Sequence, residues 1–271
     1  ALGAALSAWY LHHNGKRKMS TERDAMKGAY LGPEFSDIEI EAELKACGAV
    51  FKKLSDKELI DAVATSLADE KAVGWMQGRM EFGPRALGGR SIIADPRSPL
   101  IQKQLNLKVK YRESFRPFAP SVLIEDVGDW FEHDTDSPYM LLVANVRKDK
   151  RLKMTEAEEA LFGIEKLNVP RSSIPAITHV DYSARIQTVH AETNPRYHAV
   201  ISEFKKKTGC PLVVNTSFNV RGEPIVCSPT DAFKCFMGTE LDTLAVGNYF
   251  LIKEEQHEEL KENYEARYEL D

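Results

Sequence analysis

Apolar residues recur at helical spacing over the first fourteen positions, ALGAALSAWYLHHN, and give way to a polar stretch, GKRKMSTERDAMKG, that predicts a linker. Ser36 followed three residues later by Glu39 predicts a capped helix that runs to about Ala46. The same logic places a second helix from Ser55 to about Asp69. Three further helices are announced by a capping residue followed by proline, whose missing amide hydrogen costs nothing at the first helical position: Ser98-Pro99, Asn194-Pro195 and Ser228-Pro229. The first of these sets Ile101, Leu105 and Val109 on one face at four-residue intervals. The helix from Pro195 has Gly209 as its stop.

Between the helices lie apolar, β-branched runs, AVGWMQG, APSVLI, YMLLVANV, ARIQTVH, PLVVN and TLAVGNYFLI, which read as strands. Helices alternate with strands, so the expected class is α/β with an open, mixed sheet. MTEAEEALFGIEKLNVPRSS, residues 154–173, reads as a solvated insertion, and no internal repeat is visible.

The 271 residues are 43% hydrophobic and 28% charged, enough to bury a substantial core. No stretch approaches the roughly 20 uninterrupted apolar residues of a membrane helix, so no membrane is expected and the cytoplasm is the default location. We read the chain as a piece of a longer protein, because it opens without Met directly on a helical pattern. Cys47, Cys210, Cys227 and Cys235 form neither a CxxC pair nor a disulfide framework, and buried thiols are expected. His12 and His13 are adjacent and His190 and His198 are too far apart for one helical turn, so no protein-built metal site is assigned.

Charge is unevenly spread. Residues 253–271 carry eight acids against three bases, which accounts for the whole net charge of -5. Residues 79–116 carry nine Lys or Arg against Glu81, Asp95 and Glu113, which points to an anion site. In GRMEFGPRALGGRS, Gly83, Gly88 and Gly89 permit sharp bends, and Arg79, Arg85 and Arg90 could converge on one ligand through their planar donor forks. The same residues would also suit a surface loop with solvated arginines.

In KVKYRESFRPFAPS, Lys108 and Arg112 are four apart and suit a solvated helix face, whereas Lys110 and Arg116 sit where a helix gives way to a strand. The strand PLVVN stops at Asn215-Thr216-Ser217 and continues through Asn219 and Arg221; such a strand end can bind a polar ligand or can be an ordinary turn. Arg185, heading the apolar strand ARIQTV, must face water, a partner or an anion. The chain has no arguable Ser-His-Asp arrangement and no P-loop. The residues suit charge neutralisation and positioning for phosphoryl or nucleotidyl transfer.

Four segments, GWMQGRMEFGPRALGGRSIIADPR, KVKYRESFRPFAPSV, THVDYSARIQTV and NTSFNVRGEPIVCSPTDA, together resemble the carboxyl-terminal domain of the carbamoyltransferases that include nodulation and antibiotic-tailoring O-carbamoyltransferases. The likeness spans roughly residues 73–252 and reaches back through YLGPEFSD to about residue 29. The resemblance implies a YrdC-like α/β domain over 29–252, preceded over 1–28 by the helical tail of a Kae1-like domain and followed by an acidic tail over 253–271.

It further implies that ATP and carbamoyl phosphate combine into carbamoyl-adenylate, with Mg²⁺ accompanying the nucleotide. Transfer to an acceptor hydroxyl would need the Kae1-like domain. By the same resemblance Arg85, Lys110, Arg116 and Arg185 are the phosphate ligands, Lys110, Arg116 and Arg185 the catalytic set, and Asn215, Ser217 and Arg221 polar ligands of the nucleotide and carbamoyl group. Gly89 stands where the family pattern leads us to expect Asn. Two other readings share the scaffold. One is threonylcarbamoyl-adenylate synthesis; the other is RNA binding, against which stand the negative net charge and basic segments without interleaved aromatics. A homodimer stays open at this stage.

Overall fold

The computed structural model describes residues 2–17, 24–261 and 264. Residues 18–23 of the expected linker, and the tail residues 262–263 and 265–271, lie outside the described residues. Nine strands form one open mixed sheet in the order β1-β9-β8-β2-β3-β7-β4-β6-β5, with helices packed on it. The strands are β1 (Lys52–Lys53), β2 (Val73–Met76), β3 (Arg90–Ala94), β4 (Ala119–Leu123), β5 (Leu142–Asn145), β6 (Ser183–Val189), β7 (Leu212–Ser217), β8 (Thr243–Val246) and β9 (Tyr249–Ile252). Only β2 with β8 and β4 with β6 pair in parallel; the other neighbours are antiparallel. This is the α/β class and the open mixed sheet expected from the alternation of helices and strands.

The longer helices start where the capping chemistry puts them. Helix α1 (Asp37–Ala46) and helix α2 (Asp56–Ala68) are each opened by a complete capping box, Ser36 with Glu39 and Ser55 with Glu58. The exception is α3 (Ile101–Lys108), which begins at Ile101 rather than at the expected Ser98-Pro99. Ser98 does not cap it, because its hydroxyl donates to the Glu70 carboxylate at 2.5 Å. Ile101, Leu105 and Val109 are nevertheless all buried, as their spacing required.

Helix α4 (Pro195–Thr208) is capped by Asn194, which accepts from the Tyr197 backbone N–H, and stops at left-handed Gly209. Helix α5 (Pro229–Met237) is capped by Ser228 and Asp231. Helices α2 and α4 pack on each other, and α4 reaches the sheet through Tyr197, whose ring lies 6.2 Å from that of Trp75 on β2.

Two strands were not legible in the sequence. Residues 90–94, which are absent from the runs read as strands, form β3, fully buried and hydrogen-bonded between β2 and β7. The two-residue edge strand β1 is too short to carry a period. The run TLAVGNYFLI folds as a hairpin of β8 and β9, turning at Gly247 with φ of 52°. All four cysteines are free; Cys210 and Cys235 are buried, and Cys47 and Cys227 are half-buried. Among the described residues no helix is long and apolar enough to cross a membrane.

The half of the sheet from β3 to β5 builds a polar patch inside an apolar protein. Asn215 on β7 stands opposite Ala119 on β4, and Ser121 on β4 stands opposite Gln187 on β6. Since strand side chains alternate in direction, Arg185 shares a face with Gln187, and Ser217 shares one with Asn215. Hydrogen bonds join the two pairs onto one face. Ser121 Oγ donates to Gln187 Oε1 at 2.6 Å, and Asn215 Nδ2 donates to Ser121 Oγ and Gln187 Oε1, each at 2.9 Å.

Candidate functional site

A cavity of about 180 Å³ opens over this face, lined among others by Arg85, Arg112, Arg185, Asn215, Thr216 and Ser217. The loop of residues 77–89 forms one wall. Its ends are closed by Gln77 N–H donating to Gly89 O at 2.9 Å. Its interior is folded around the buried Glu81 carboxylate, which accepts from the backbone N–H groups of Leu87 at 2.6 Å and Gly89 at 2.7 Å. Gly88 adopts φ of 104°, and a Cβ there would lie 2.3 Å from the Tyr197 ring, so the close approach of loop to helix requires glycine. These restraints leave Arg85 exposed at the loop tip and directed to the cavity.

The three arginines of this loop do not converge on one ligand, as the sequence had suggested they could. Arg90 is fully buried, and its guanidinium donates to the carbonyls of Pro33, Gln77, Gly78, Gly89 and Cys227 at 3.0–3.3 Å. It is a strut that ties β3 to chain segments far apart in sequence. Arg79 donates to Gly32 O at 3.2 Å and pairs with Glu34 at 3.4 Å, which also turns it away.

Arg185, at the head of β6, projects from the opposite wall. Among the described residues its buried Nε has no hydrogen-bond partner, and Nη2 reaches only the Met140 sulfur at 3.9 Å. Burial, with a smaller contribution from Arg85, pulls the Arg185 guanidinium below its usual range. Two cations facing one small cavity, one of them with an idle buried donor, are an arrangement whose chemistry suits an anion.

Asn215 supplies the complementary feature. Its Nδ2 donates to Ala86 O, Ser121 Oγ and Gln187 Oε1, while its buried Oδ1 has no partner among the described residues. Three acceptors around Nδ2 fix the amide orientation, since the flipped form would set oxygen against oxygen. The cavity therefore offers both charge and a fixed acceptor.

Lys110 lies behind the cavity rather than in its lining. Helix α3 ends at Lys108, Tyr111 takes φ of 47°, and the lysine turns inward. Its ammonium donates to Ser217 O, to Asn219 O at 2.8 Å and to Asn219 Oδ1 at 2.9 Å. Burial pushes it down to about 7.

Arg112, read from the sequence as part of a solvated helix face, lies beyond the helix end and lines the cavity. Asn106 Oδ1 accepts from its Nε at 2.7 Å, and its guanidinium sits 5.0 Å from the centre of the Phe118 ring. The inward turn at Tyr111 was the missing signal. Arg116 is outside the lining, half-exposed and paired with Glu113 at 2.9 Å. Arg221 is outside it as well. A hydrogen bond from its own backbone, then Arg116, Arg221 and Arg112, hold the Glu113 carboxyl below the usual carboxylate range. The two outer arginines thus gather with Arg112 around one acid.

Of the residues singled out in advance, Arg85, Arg185, Asn215 and Ser217 share the cavity, Lys110 supports it through Ser217, and Arg116 and Arg221 flank Arg112. Glu81, Ser121 and Gln187, which shape its walls, were not anticipated. Among the described residues no three His, Cys, Asp or Glu side chains cluster as metal ligands.

Comparison with known proteins gives a family match, Carbamoyltransferase C-terminus, over residues 64–253. An uncharacterized protein of Synechocystis is 59% identical over 100% of this chain and 44% of its own length. The nodulation protein NolO of Bradyrhizobium diazoefficiens is 40% identical, over 93% of this chain and 42% of its own. The 3'-hydroxymethylcephem-O-carbamoyltransferase of Streptomyces clavuligerus is 35% identical, over 69% of this chain and 32% of its own. The chain thus spans less than half the length of these relatives.

Proposed function

This chain belongs to the carbamoyltransferase C-terminus family, and on that premise we propose that it is the part of an O-carbamoyltransferase that binds carbamoyl phosphate and ATP and forms carbamoyl-adenylate. The observation that carries the reading is the cavity lined by both Arg85 and Arg185, brought from segments far apart in the chain. At about 180 Å³ it suits one small phosphate-bearing molecule and is well below the roughly 300–1,000 Å³ of pockets that enclose a drug-sized ligand. We assign it to carbamoyl phosphate, with the nucleotide reaching in from the mouth, where Arg112, Arg116 and Arg221 stand near one another.

In this reading the chain's own groups act by position and charge. Arg85 and Arg185 take the phosphate oxygens, Lys110 adds positive charge from behind Ser217, and Asn215 and Ser217 orient the carbamoyl group. Gathering two polyanions that repel each other is the main contribution required of the protein. The atom balance is closed by one water: carbamoyl phosphate is cleaved to carbamate and phosphate, and a carbamate oxygen displaces pyrophosphate from the α-phosphorus of ATP. Transfer of the carbamoyl group to an acceptor hydroxyl is assigned to the Kae1-like domain that the resemblance implies.

The test is calorimetry with carbamoyl phosphate, followed by pyrophosphate release measured with ATP and Mg²⁺. Binding by the wild-type chain, and pyrophosphate that appears only when both substrates are present, are expected. Pyrophosphate release with threonine and bicarbonate in place of carbamoyl phosphate would instead assign the chain to threonylcarbamoyl-adenylate synthesis.

A further inference from the structure

The loop that carries Arg85 is fastened to the sheet just beyond the cavity lining. Two residues after Arg85, Leu87 O accepts from Gln187 Nε2 at 2.8 Å. One residue after it, Ala86 O accepts from Asn215 Nδ2 at 3.0 Å. From the other side the Tyr30 hydroxyl donates to the same Leu87 carbonyl at 2.7 Å, and Trp75 Nε1 donates to Gly88 O at 2.8 Å. Gln187 is 2% exposed and stands outside the lining, so it touches no ligand in the cavity.

Backbone carbonyls, which can only accept, fix the direction of every bond in this group. Leu87 O obliges Gln187 to present Nε2 to the loop, which leaves Gln187 Oε1 for the sheet. That oxygen accepts from Ser121 Oγ at 2.6 Å and from Asn215 Nδ2 at 2.9 Å. Ala86 O demands the same orientation of the Asn215 amide. Gln187 therefore grips the loop twice, directly at Leu87 and through Asn215 at Ala86.

The grip spans the two walls that carry the cations. Arg185 and Gln187 lie two apart on β6 and share a face, while Arg85 and Leu87 lie two apart in the loop. A tie from Gln187 to Leu87 thus sets the wall bearing Arg85 against the strand bearing Arg185. Two guanidinium groups lining one small cavity repel each other, so a wall that carries one of them must be fastened. The lowered range of Arg185, to which Arg85 contributes after burial, reflects the same repulsion.

We infer that Gln187 is a positioning residue that holds the Arg85 loop against β6, and so keeps Arg85 and Arg185 near enough to share one anion. Its effect on a ligand rests on the site reading above; its hold on the loop does not.

Two measurements on the full chain separate these claims. The first is hydrogen exchange by NMR, without ligand, at the Leu87 and Gly89 amides, whose acceptor is Glu81. Gln187→Met keeps a similar volume and removes the amide. It is expected to speed exchange at both positions relative to the amides of β2 and β3; unchanged rates, or an equal rise throughout the sheet, overturn the inference. The second is calorimetry with inorganic phosphate in a double-mutant cycle. Gln187→Met is expected to weaken binding about tenfold in the wild-type background, and by no more than about twofold where Arg85 is already Met, because no charge is then left for the loop to place.

A loss of the same size in both backgrounds would mean that Gln187 only maintains the fold, and would overturn the inference. A wild-type chain that binds no phosphate refutes the site reading, and the exchange rates then decide by themselves whether Gln187 holds the loop. If Gln187→Met does not fold, Gln187→Asn takes its place. One methylene shorter, it keeps an amide for Ser121 and Asn215 but falls short of Leu87, and the same two results are expected.

Discussion

Replacing Arg185 with Met should weaken anion binding without weakening the fold, a combination that separates a binding residue from a structural one. In the ligand-free protein Arg185 is a liability: its buried Nε has no partner among the described residues, and Arg85 has the same sign. An unsatisfied buried donor costs roughly 1–3 kcal/mol, reduced here because the side chain is only half-buried. Met fills a similar volume beside Met140 and removes the donor, so a change in stability between zero and a gain of about 1 kcal/mol is expected.

The loss on the ligand side is larger. A charge-assisted hydrogen bond to phosphate contributes about 1.5–3 kcal/mol, so affinity for carbamoyl phosphate should fall by roughly 10- to 150-fold. Urea unfolding and calorimetry on the same preparation give both numbers. The reasoning fails if Arg185→Met loses about 2 kcal/mol or more of stability, or if its affinity stays within about twofold of wild type.

Arg90→Met should behave in the opposite way. Removing a buried guanidinium that serves five carbonyls is expected to cost about 3–5 kcal/mol in urea unfolding, and a cost below about 1 kcal/mol would refute its role as a strut. The site should also lose anion affinity as pH rises through about 7, where Lys110 gives up its proton. Stability runs the other way: between about 7 and the ordinary lysine value of 10.5 the unfolded chain binds more protons than the folded one, so unfolding free energy rises with pH. Lys110→Met should flatten that rise, and a slope that persists in the variant would show that other groups cause it.

Features whose partners are near in sequence were legible without a structure. Ser36 with Glu39, Ser55 with Glu58, Asn194-Pro195 with Gly209, and Ser228-Pro229 all act where the sequence placed them, because a cap is an interaction over three or four residues. Most of the apolar runs became buried strands for a similar reason, since burial follows composition and the alternation of side chains is fixed by backbone geometry, but YMLLVANV forms the edge strand β5 with Leu142 and Val143 exposed. Ser98 shows where this stops: an equally good cap lost its role to Glu70, twenty-eight residues earlier in the chain.

The candidate site divides along the same line. That Arg85, Arg185, Asn215 and Ser217 carry suitable chemistry is written in the residues themselves. That Arg85 points into the cavity while Arg90 is buried against Pro33 and Cys227 is not, because a long guanidinium side chain takes its direction from whichever distant acceptors the fold supplies. Arg112 joined the site only because the backbone leaves the helix at Tyr111, and Lys110 lost its solvent only because the turn after β7 closed over it. The amino-acid sequence determined which elements form and which groups can bind an anion. Tertiary structure alone decided which of those groups meet, since their contacts span as many as 137 residues and are settled by packing rather than by local preference.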